Sequence, residues 1–285
     1  MRKLLAVLAA ALGIVAAPPA FAQSGPQPGT PSGARSGKVQ VLWLGQSAMR
    51  ITTPGGKVIM LDPWITTNPK TPAEWKDLDK LGKLDVILVT HAHGDHVGDA
   101  PTLAKKQNIQ VWAPAGLDDT FVSLGILPLE LAPRMSKSGT ITPIGPDIRI
   151  TQVHAEHSSE FAYQNPETKK REIHVGGEPV GFIIRLENGF TIYHMGDTGL
   201  FGDMKLIASY YKPDLVMIPI GGHFVMDPKD AAYAIKNFLK PKYAIPMHYG
   251  TTPQLKGTPE EFIKALGKNS KTKVVVMQPG ETRTF

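Results

Sequence analysis

Residues 86–96 read Val-Ile-Leu-Val-Thr-His-Ala-His-Gly-Asp-His, and they constrain this chain more than any other stretch. Val86 to Val89 is an apolar run dominated by β-branched residues, the pattern of a buried strand. Where that strand leaves its sheet come His91, His93, Asp95 and His96. Neutral imidazole is the commonest metal-binding side chain, and a carboxylate suits the same divalent ions. Strand exits are a usual place for a site in an open sheet. Four ligand-type residues in six positions crowd a single tetrahedral ion, so the excess points to two metals sharing one loop. His91 and His93, two apart on extended chain, can converge on one ion. Asp95 and His96 are adjacent and must diverge from that pair, which suits the other.

Neither ion is complete with these residues, and the chain repeats the same device three more times. The run 148–153 leads into His154-Ala155-Glu156-His157, where either histidine can serve. The run 190–193 leads into His194-Met195-Gly196-Asp197. The run 243–247 ends at His248. Rigid strand ends place ligands accurately, as metal geometry requires.

The surrounding sequence bounds the setting. Residues 1–22 read as a secretory signal peptide, with Arg2 and Lys3 as its positive start, an apolar run from Leu4 to Ala17, and Ala20-Phe21-Ala22 as a cleavage site near Ala22/Gln23. The apolar run is short for a membrane span. The expected location is therefore the bacterial periplasm or the medium, with no membrane attachment after cleavage. Of 31 basic and 25 acidic residues, removing Arg2 and Lys3 leaves 29 against 25, a charge of +4 in place of +6. With no basic cluster alternating with aromatics, a nucleic-acid partner is not expected. The absence of cysteine removes disulfides, thiolate ligands and thiol nucleophiles together. The oligomeric state is not legible.

Residues 23–37 are rich in Gly, Pro and Ser and read as a flexible tether. One folded domain is expected over 38–285. Short apolar strands are expected at 39–44, 48–52 and 57–61, then a helix at 100–107 and strands at 109–113 and 148–153. Asn188-Gly189 signals a hairpin between 182–186 and 190–194. Further on come a helix at 201–211, a strand at 214–220, and a helix capped by Asp227 with Pro228 in its first turn. A strand at 243–247, a helix opened by the capping box Thr258-Pro259-Glu260-Glu261, and a strand at 273–277 follow. Two halves of strands plus helices give an α/β (α+β) fold: a four-layer αββα sandwich, with two mixed β-sheets face to face and helices outside.

At His91, His93, Asp95 and His96 the chain resembles the metallo-β-lactamase superfamily, whose motif His-x-His-x-Asp-His stands intact. Leu61-Asp62-Pro63, Gly196 to Gly199 and Pro246-Met247-His248-Tyr249 extend the likeness over about 38–285, most closely toward metal-dependent hydrolases related to ascorbate-phosphate lactonase. The resemblance implies His157 as the third ligand of the first ion, Asp197 as a bridge and His248 as the last ligand of the second. The family-like spacing to Ser158-Ser159 favours His157 over His154, which the resemblance then makes an outer or surface residue. Asp62 is expected to orient a ligand histidine. Asp99 resembles the family's aspartate after the motif, or else supplies a charge at a helix start. His194 is expected in the core, His223 either facing substrate or packing its loop, and His174 in a polar hairpin with no role.

The expected activity is hydrolysis by a metal-bridging hydroxide of a small-molecule substrate, with two divalent ions as cofactors: zinc by default, manganese or iron as alternatives. Asp95 and Asp197 are the catalytic candidates. The bond is left open among esters, lactones and phosphodiesters, since one fold serves many reactions. Asp197 stands where true metallo-β-lactamases carry Cys or Ser, which argues against β-lactam hydrolysis. His93 stands where the flavodiiron relatives carry Glu, which argues against redox chemistry. A non-catalytic metal- or ligand-binding protein on the same fold is the alternative from another class.

Overall fold

Alternation along the strands sets the architecture. In β1 (Gln40–Trp43), Val41 and Trp43 face one side and Leu42 the other, and all three are buried. A strand apolar on both faces needs cover on both. The computed structural model describes residues 37–285. The expected signal peptide and all but the last residue of the expected tether lie outside the described residues.

β1 is followed by β2 (Met49–Thr52), β3 (Val58–Leu61), β4 (Val86–Leu88), β5 (Val111–Pro114) and β6 (Arg134–Met135), paired in that order as one sheet. Between them run α1 (Gly94–Val97), α2 (Ala100–Gln107) and α3 (Leu117–Ser123). The second sheet takes β7 (Thr140–Ile141) and β8 (Arg149–His154). A separate hairpin of β9 (Glu160–Gln164) and β10 (Arg171–Val175) intervenes. The sheet continues with β11 (Val180–Arg185), β12 (Thr191–His194), β13 (Leu215–Pro219), β14 (Tyr243–Met247) and β15 (Lys273–Val274). Its helices are α4 (Met204–Tyr211), α5 (Pro228–Ala234), which runs on into a π-helical turn at Ile235–Leu239, and α6 (Pro259–Leu266). The last strand, β16 (Thr282–Thr284), returns to the first sheet and pairs antiparallel with β1. Each sheet is mixed, antiparallel on one side and parallel on the other.

Three buried layers follow. Val41, Trp43, Ile59 and Leu88 meet Ile150, Phe182, Leu215 and Ile245 between the sheets. Leu42, Met60, Ile87 and Val89 face outward onto Leu103, Ala104 and Phe121 of α2 and α3. Ile183, Tyr193, Val216 and Ile218 face outward onto Met204, Ala231 and Phe262 of α4 to α6. This is the αββα sandwich. Each fully buried aliphatic side chain contributes about 1.5–3 kcal/mol, so the strand ends are held by their own packing. Among the described residues no helix is long and apolar enough to cross a membrane.

Local signals fell where expected at several places. Asp227 accepts from the backbone N–H of Lys229 and Asp230, and the capping box of Thr258 and Glu261 closes in both directions. Several boundaries moved by a residue or two, the strand expected at 273–277 is only Lys273–Val274, and two shifts have a plain local cause. Asn108 caps α2 with a left-handed φ of 53°, and Ile109 N–H still bonds back to Ala104 O, so the strand starts only at Val111. The helix expected from 201 starts at Met204, because Gly202 lies in what would be its first turn.

Candidate metal centre

The strand ends of both sheets converge on one place. His91 follows β4, His248 follows β14, and Asp197 lies three residues beyond β12. His93 is the extended residue just before α1, and Asp95 and His96 sit on that single helical turn. The turn separates Asp95 and His96 from His91 and His93. Two groups result, His91 with His93 and His157, and Asp95 with His96, Asp197 and His248.

In the first group His91 Nε2 and His93 Nδ1 are 3.0 Å apart, and the rings of His91 and His157 meet edge to face at 5.0 Å. His157 is carried by a loop tied on both sides. Ser159 Oγ accepts from Ala92 N–H at 3.2 Å, and Glu156 N–H donates to Thr198 Oγ1 at 3.0 Å. In the second group His248 Nε2 lies 3.0 Å from Asp197 Oδ2, and His96 Nε2 lies 3.2 Å from Asp197 Oδ1. Asp95 Oδ2 is 3.4 Å from His248 Nε2 and 3.7 Å from His96 Nε2. Asp197 Oδ2 is also 3.6 Å from His157 Nε2. Asp197 therefore stands between the groups, one oxygen toward both.

Behind the ligand-type residues is a buried support. Asp62, fully buried, accepts from Thr90 N–H, Thr90 Oγ1–H and His96 Nδ1–H, each at 2.8 Å. That leaves His96 Nε2 to face Asp197. Gly196 permits the approach, with a φ of 61° and a Cβ position that would fall 2.8 Å from the Thr90 side chain.

The charges explain why these groups stay together. Burial opposes ionisation of Asp197, but His248 and His96 outweigh it and hold its carboxyl well below the usual range. Burial opposes protonation of His248, but Asp197 and Asp95 outweigh it and push it up to about 9. His96 is raised too, burial being overcome by Asp197, Asp62 and Asp95. Burial, with His96 beside it, keeps His91 well below its ordinary value, and burial lowers His157.

The residues fit divalent ions. His96 Nε2 and Asp197 Oδ1 are buried 3.2 Å apart with no partner other than each other, although such groups in a folded protein are nearly always well satisfied. A cation held between them would satisfy both. The donor set of imidazole nitrogens and carboxylate oxygens suits zinc, manganese or iron.

Other expected residues lie elsewhere or act differently. His194 is buried, bonded to Ser47 O at 3.0 Å, and accepts from Gly196 N–H at 3.3 Å, as the core reading expected. His154 is in neither group; its ring nitrogens meet Lys137 at 3.1 Å and Glu156 at 3.4 Å. His223 is exposed with its ring against Phe224, also outside both groups. His174 lies on the β9–β10 hairpin beside Glu172. Asp99 does not cap its own helix. Its carboxylate accepts from Ile65 N–H, Thr66 N–H and Thr66 Oγ1–H, which clasps the loop after Asp62. Two participants carried no expectation, Thr90 and Gln46. Gln46 Nε2 is 2.8 Å from Asp95 Oδ2 and 2.7 Å from His248 Nε2. Its position at the exit of β1 is the same device that marked the histidines, carried by a residue type that draws no notice.

A family model described as the β-lactamase superfamily domain matches residues 57–249. A UPF0173 metal-dependent hydrolase of Cupriavidus metallidurans is 60% identical over 259 residues, covering 90% of this chain and 89% of its own. A second, from Polaromonas sp., is 59% identical over 285 residues and covers 100% of both chains. Among solved structures, Igni18, a metallo hydrolase from the archaeon Ignicoccus hospitalis, superposes with a TM-score of 0.73 at 34% identity, over 87% of this chain and 98% of its own.

Proposed function

This chain belongs to the metal-dependent hydrolases of the metallo-β-lactamase superfamily, and on that premise we propose that it is an exported hydrolase using two divalent ions, zinc by default, to cleave a small ester, lactone or phosphodiester. The observation that carries the two-ion reading is Asp197, whose Oδ2 is 3.0 Å from His248 of one group and 3.6 Å from His157 of the other. His91, His93 and His157 would hold one ion, His96, His248 and Asp95 the other, with Asp197 shared. Bound there, the ions would supply Lewis acidity and bring a water's pKa toward neutrality.

The chain's own residues supply position and proton control. Asp62 fixes which nitrogen of His96 is free. Asp95 and His93, about three-tenths exposed, form the open side of the centre, where substrate approaches. Asp95 orients the attacking water there. A cleft of about 580 Å³ lies beside the centre, with Gln46, Trp43, Tyr249, Leu255, Lys70 and Lys256 among its walls. We place the non-reacting part of the substrate in it. Export rests on the leader-like residues 1–22.

Metal analysis together with a panel of chromogenic esters, lactones and phosphodiesters tests the proposal. Two ions per chain and turnover of one class, abolished by chelation, are expected. Asp197→Asn should lose one ion and the activity; unchanged metal content and rate in that variant would overturn the assignment. Two bound ions with no turnover on any class would favour a binding protein instead.

A further inference from the structure

We propose that Gln46 is itself part of the metal centre, its side-chain oxygen serving as a neutral ligand of the ion held by Asp95, His96, Asp197 and His248. The inference rests on the two-ion reading above.

Ligand atoms around one ion keep characteristic separations. Bonds of about 2.0–2.1 Å put neighbouring ligand atoms roughly 3.0 Å apart in an octahedron and roughly 3.3 Å apart in a tetrahedron. Three separations in the second group follow that pattern, His248 to Asp197 at 3.0 Å, His96 to Asp197 at 3.2 Å and His248 to Asp95 at 3.4 Å, and His96 to Asp95 is wider at 3.7 Å. The terminal amide nitrogen of Gln46, at 2.8 Å from Asp95 Oδ2 and 2.7 Å from His248 Nε2, sits about 0.2–0.3 Å inside the octahedral edge from two members, and the amide oxygen would take that place on a half-turn. It occupies a corner of the same polyhedron.

The loop holds it there. Gln46 is buried with a left-handed φ of 50°. Its own carbonyl accepts from Trp43 Nε1–H at 3.0 Å and from His248 N–H at 3.1 Å. The backbone of Gln46 is thus bonded to the ligand residue its side chain touches. In the metal-free chain Nε2–H donates to Asp95 Oδ2, while Gln46 Oε1 is buried with no donor, so the one contact that holds this amide orientation is to a carboxylate that an ion would claim. A half-turn of the amide exchanges the two ends. Beside a cation only the oxygen can bind, since an amide nitrogen has no lone pair to offer. A neutral oxygen raises the coordination number without adding negative charge beside Asp95 and Asp197.

The alternative is that Gln46 only donates an N–H to Asp95 and positions it. Cobalt(II) separates the two, because its visible absorption strengthens as coordination number falls. The full chain, stripped by chelator, is titrated with Co²⁺ alone. In Gln46→Leu the affinity for the second ion should fall roughly tenfold or more, with the first ion unaffected and a more intense visible band. Gln46→Glu, which keeps an oxygen at the corner, should restore both affinity and spectrum. A mere N–H donor predicts the reverse for Glu, which would repel Asp95 and bind worse; that result overturns the proposal. So does a Leu variant with wild-type affinity and spectrum. Should Gln46→Leu fail to fold, Gln46→Asn withdraws the oxygen by one methylene and carries the same comparison. A stoichiometry of one in the wild type would overturn the two-ion reading instead, and the response of that ion's spectrum would still decide Gln46.

Discussion

Replacing Asp62 by Asn would change one atom and should disable a metal site that Asp62 never touches. Asp62 accepts three hydrogen bonds at 2.8 Å, one of them from His96 Nδ1–H. Asn can still accept from Thr90 N–H through its oxygen, but it turns an NH₂ toward His96. The ring must then accept at Nδ1 and carry its proton on Nε2, the atom that faces Asp197 at 3.2 Å. Nε2 loses the lone pair an ion needs. Removing an outer partner of a metal-bound histidine lowers metal affinity by about 10–100-fold, equivalent to ~1.4–2.8 kcal/mol. The backbone isolates this effect, since Asp62 sits at a φ of 42° and Asn tolerates the left-handed region at least as well. Replacing a charged acceptor should cost the metal-free fold about 1–3 kcal/mol, a few degrees in melting temperature for a chain of this size. Competition against a chromogenic chelator reads the affinity, and excess metal should recover much of the lost hydrolysis. A folded Asn variant that keeps both ions within about threefold of wild-type affinity would refute the tautomer argument, because ~0.6 kcal/mol is too little for a misplaced proton.

Metal uptake should also depend on pH in two different ways. His96 and His248, raised by their carboxylate neighbours, carry protons in the metal-free protein at neutral pH. Their charged forms stabilise the metal-free fold below the ordinary histidine pKa, and that support is lost as pH rises through about 9 for His248. Affinity at the second group should therefore climb toward pH 9, while His91 and His157, lowered by burial, leave the first group nearly flat above neutrality. Calorimetry in two buffers of different ionisation enthalpy measures the protons released; buffer-independent heats would contradict it. Gly196→Ala should cost about 1–3 kcal/mol, since it combines a φ of 61° with a methyl 2.8 Å from Thr90, and a thermal melt with wild-type midpoint would count against the packing described. Tyr193→Phe should be neutral or stabilising, because the Tyr193 hydroxyl is buried without a partner; a large drop in melting temperature would reveal one.

What the sequence disclosed depended on how locally each signal was written. The motif from His91 to His96 is contiguous and chemically rare, so it was legible at once. Asp197 and His248 were legible because each follows an apolar run that is a strand in the structure. His157 came through resemblance to a family, since spacing alone left it level with His154. Gln46 was silent: a loop glutamine has no distinctive chemistry until the fold sets it against Asp95 and His248. Asp99 is open in the sequence between the family's aspartate after the motif and a helix-start charge, because its partners at Ile65 and Thr66 are over thirty residues away. Among elements, α1 is four residues long and too short to carry a periodic signal. The β9–β10 hairpin is polar on most positions, and β16 is Thr-Arg-Thr with every residue exposed. Strands formed by pairing rather than burial leave little trace in hydropathy.

The return of β16 to the first sheet has a consequence for how the molecule is made. Leu42 pairs with Thr282, and Val39 and Phe285 exchange backbone hydrogen bonds at 3.0 and 2.9 Å. During synthesis β1 emerges first, and its outer edge stays open until about 240 further residues have followed. Contacts so distant in sequence form late and slowly. An open edge with buried-type residues such as Val41 and Trp43 is a template for mispairing until β16 covers it. The first sheet is therefore closed by the two ends of the domain together, and its outer edge is the last part of the fold to be protected.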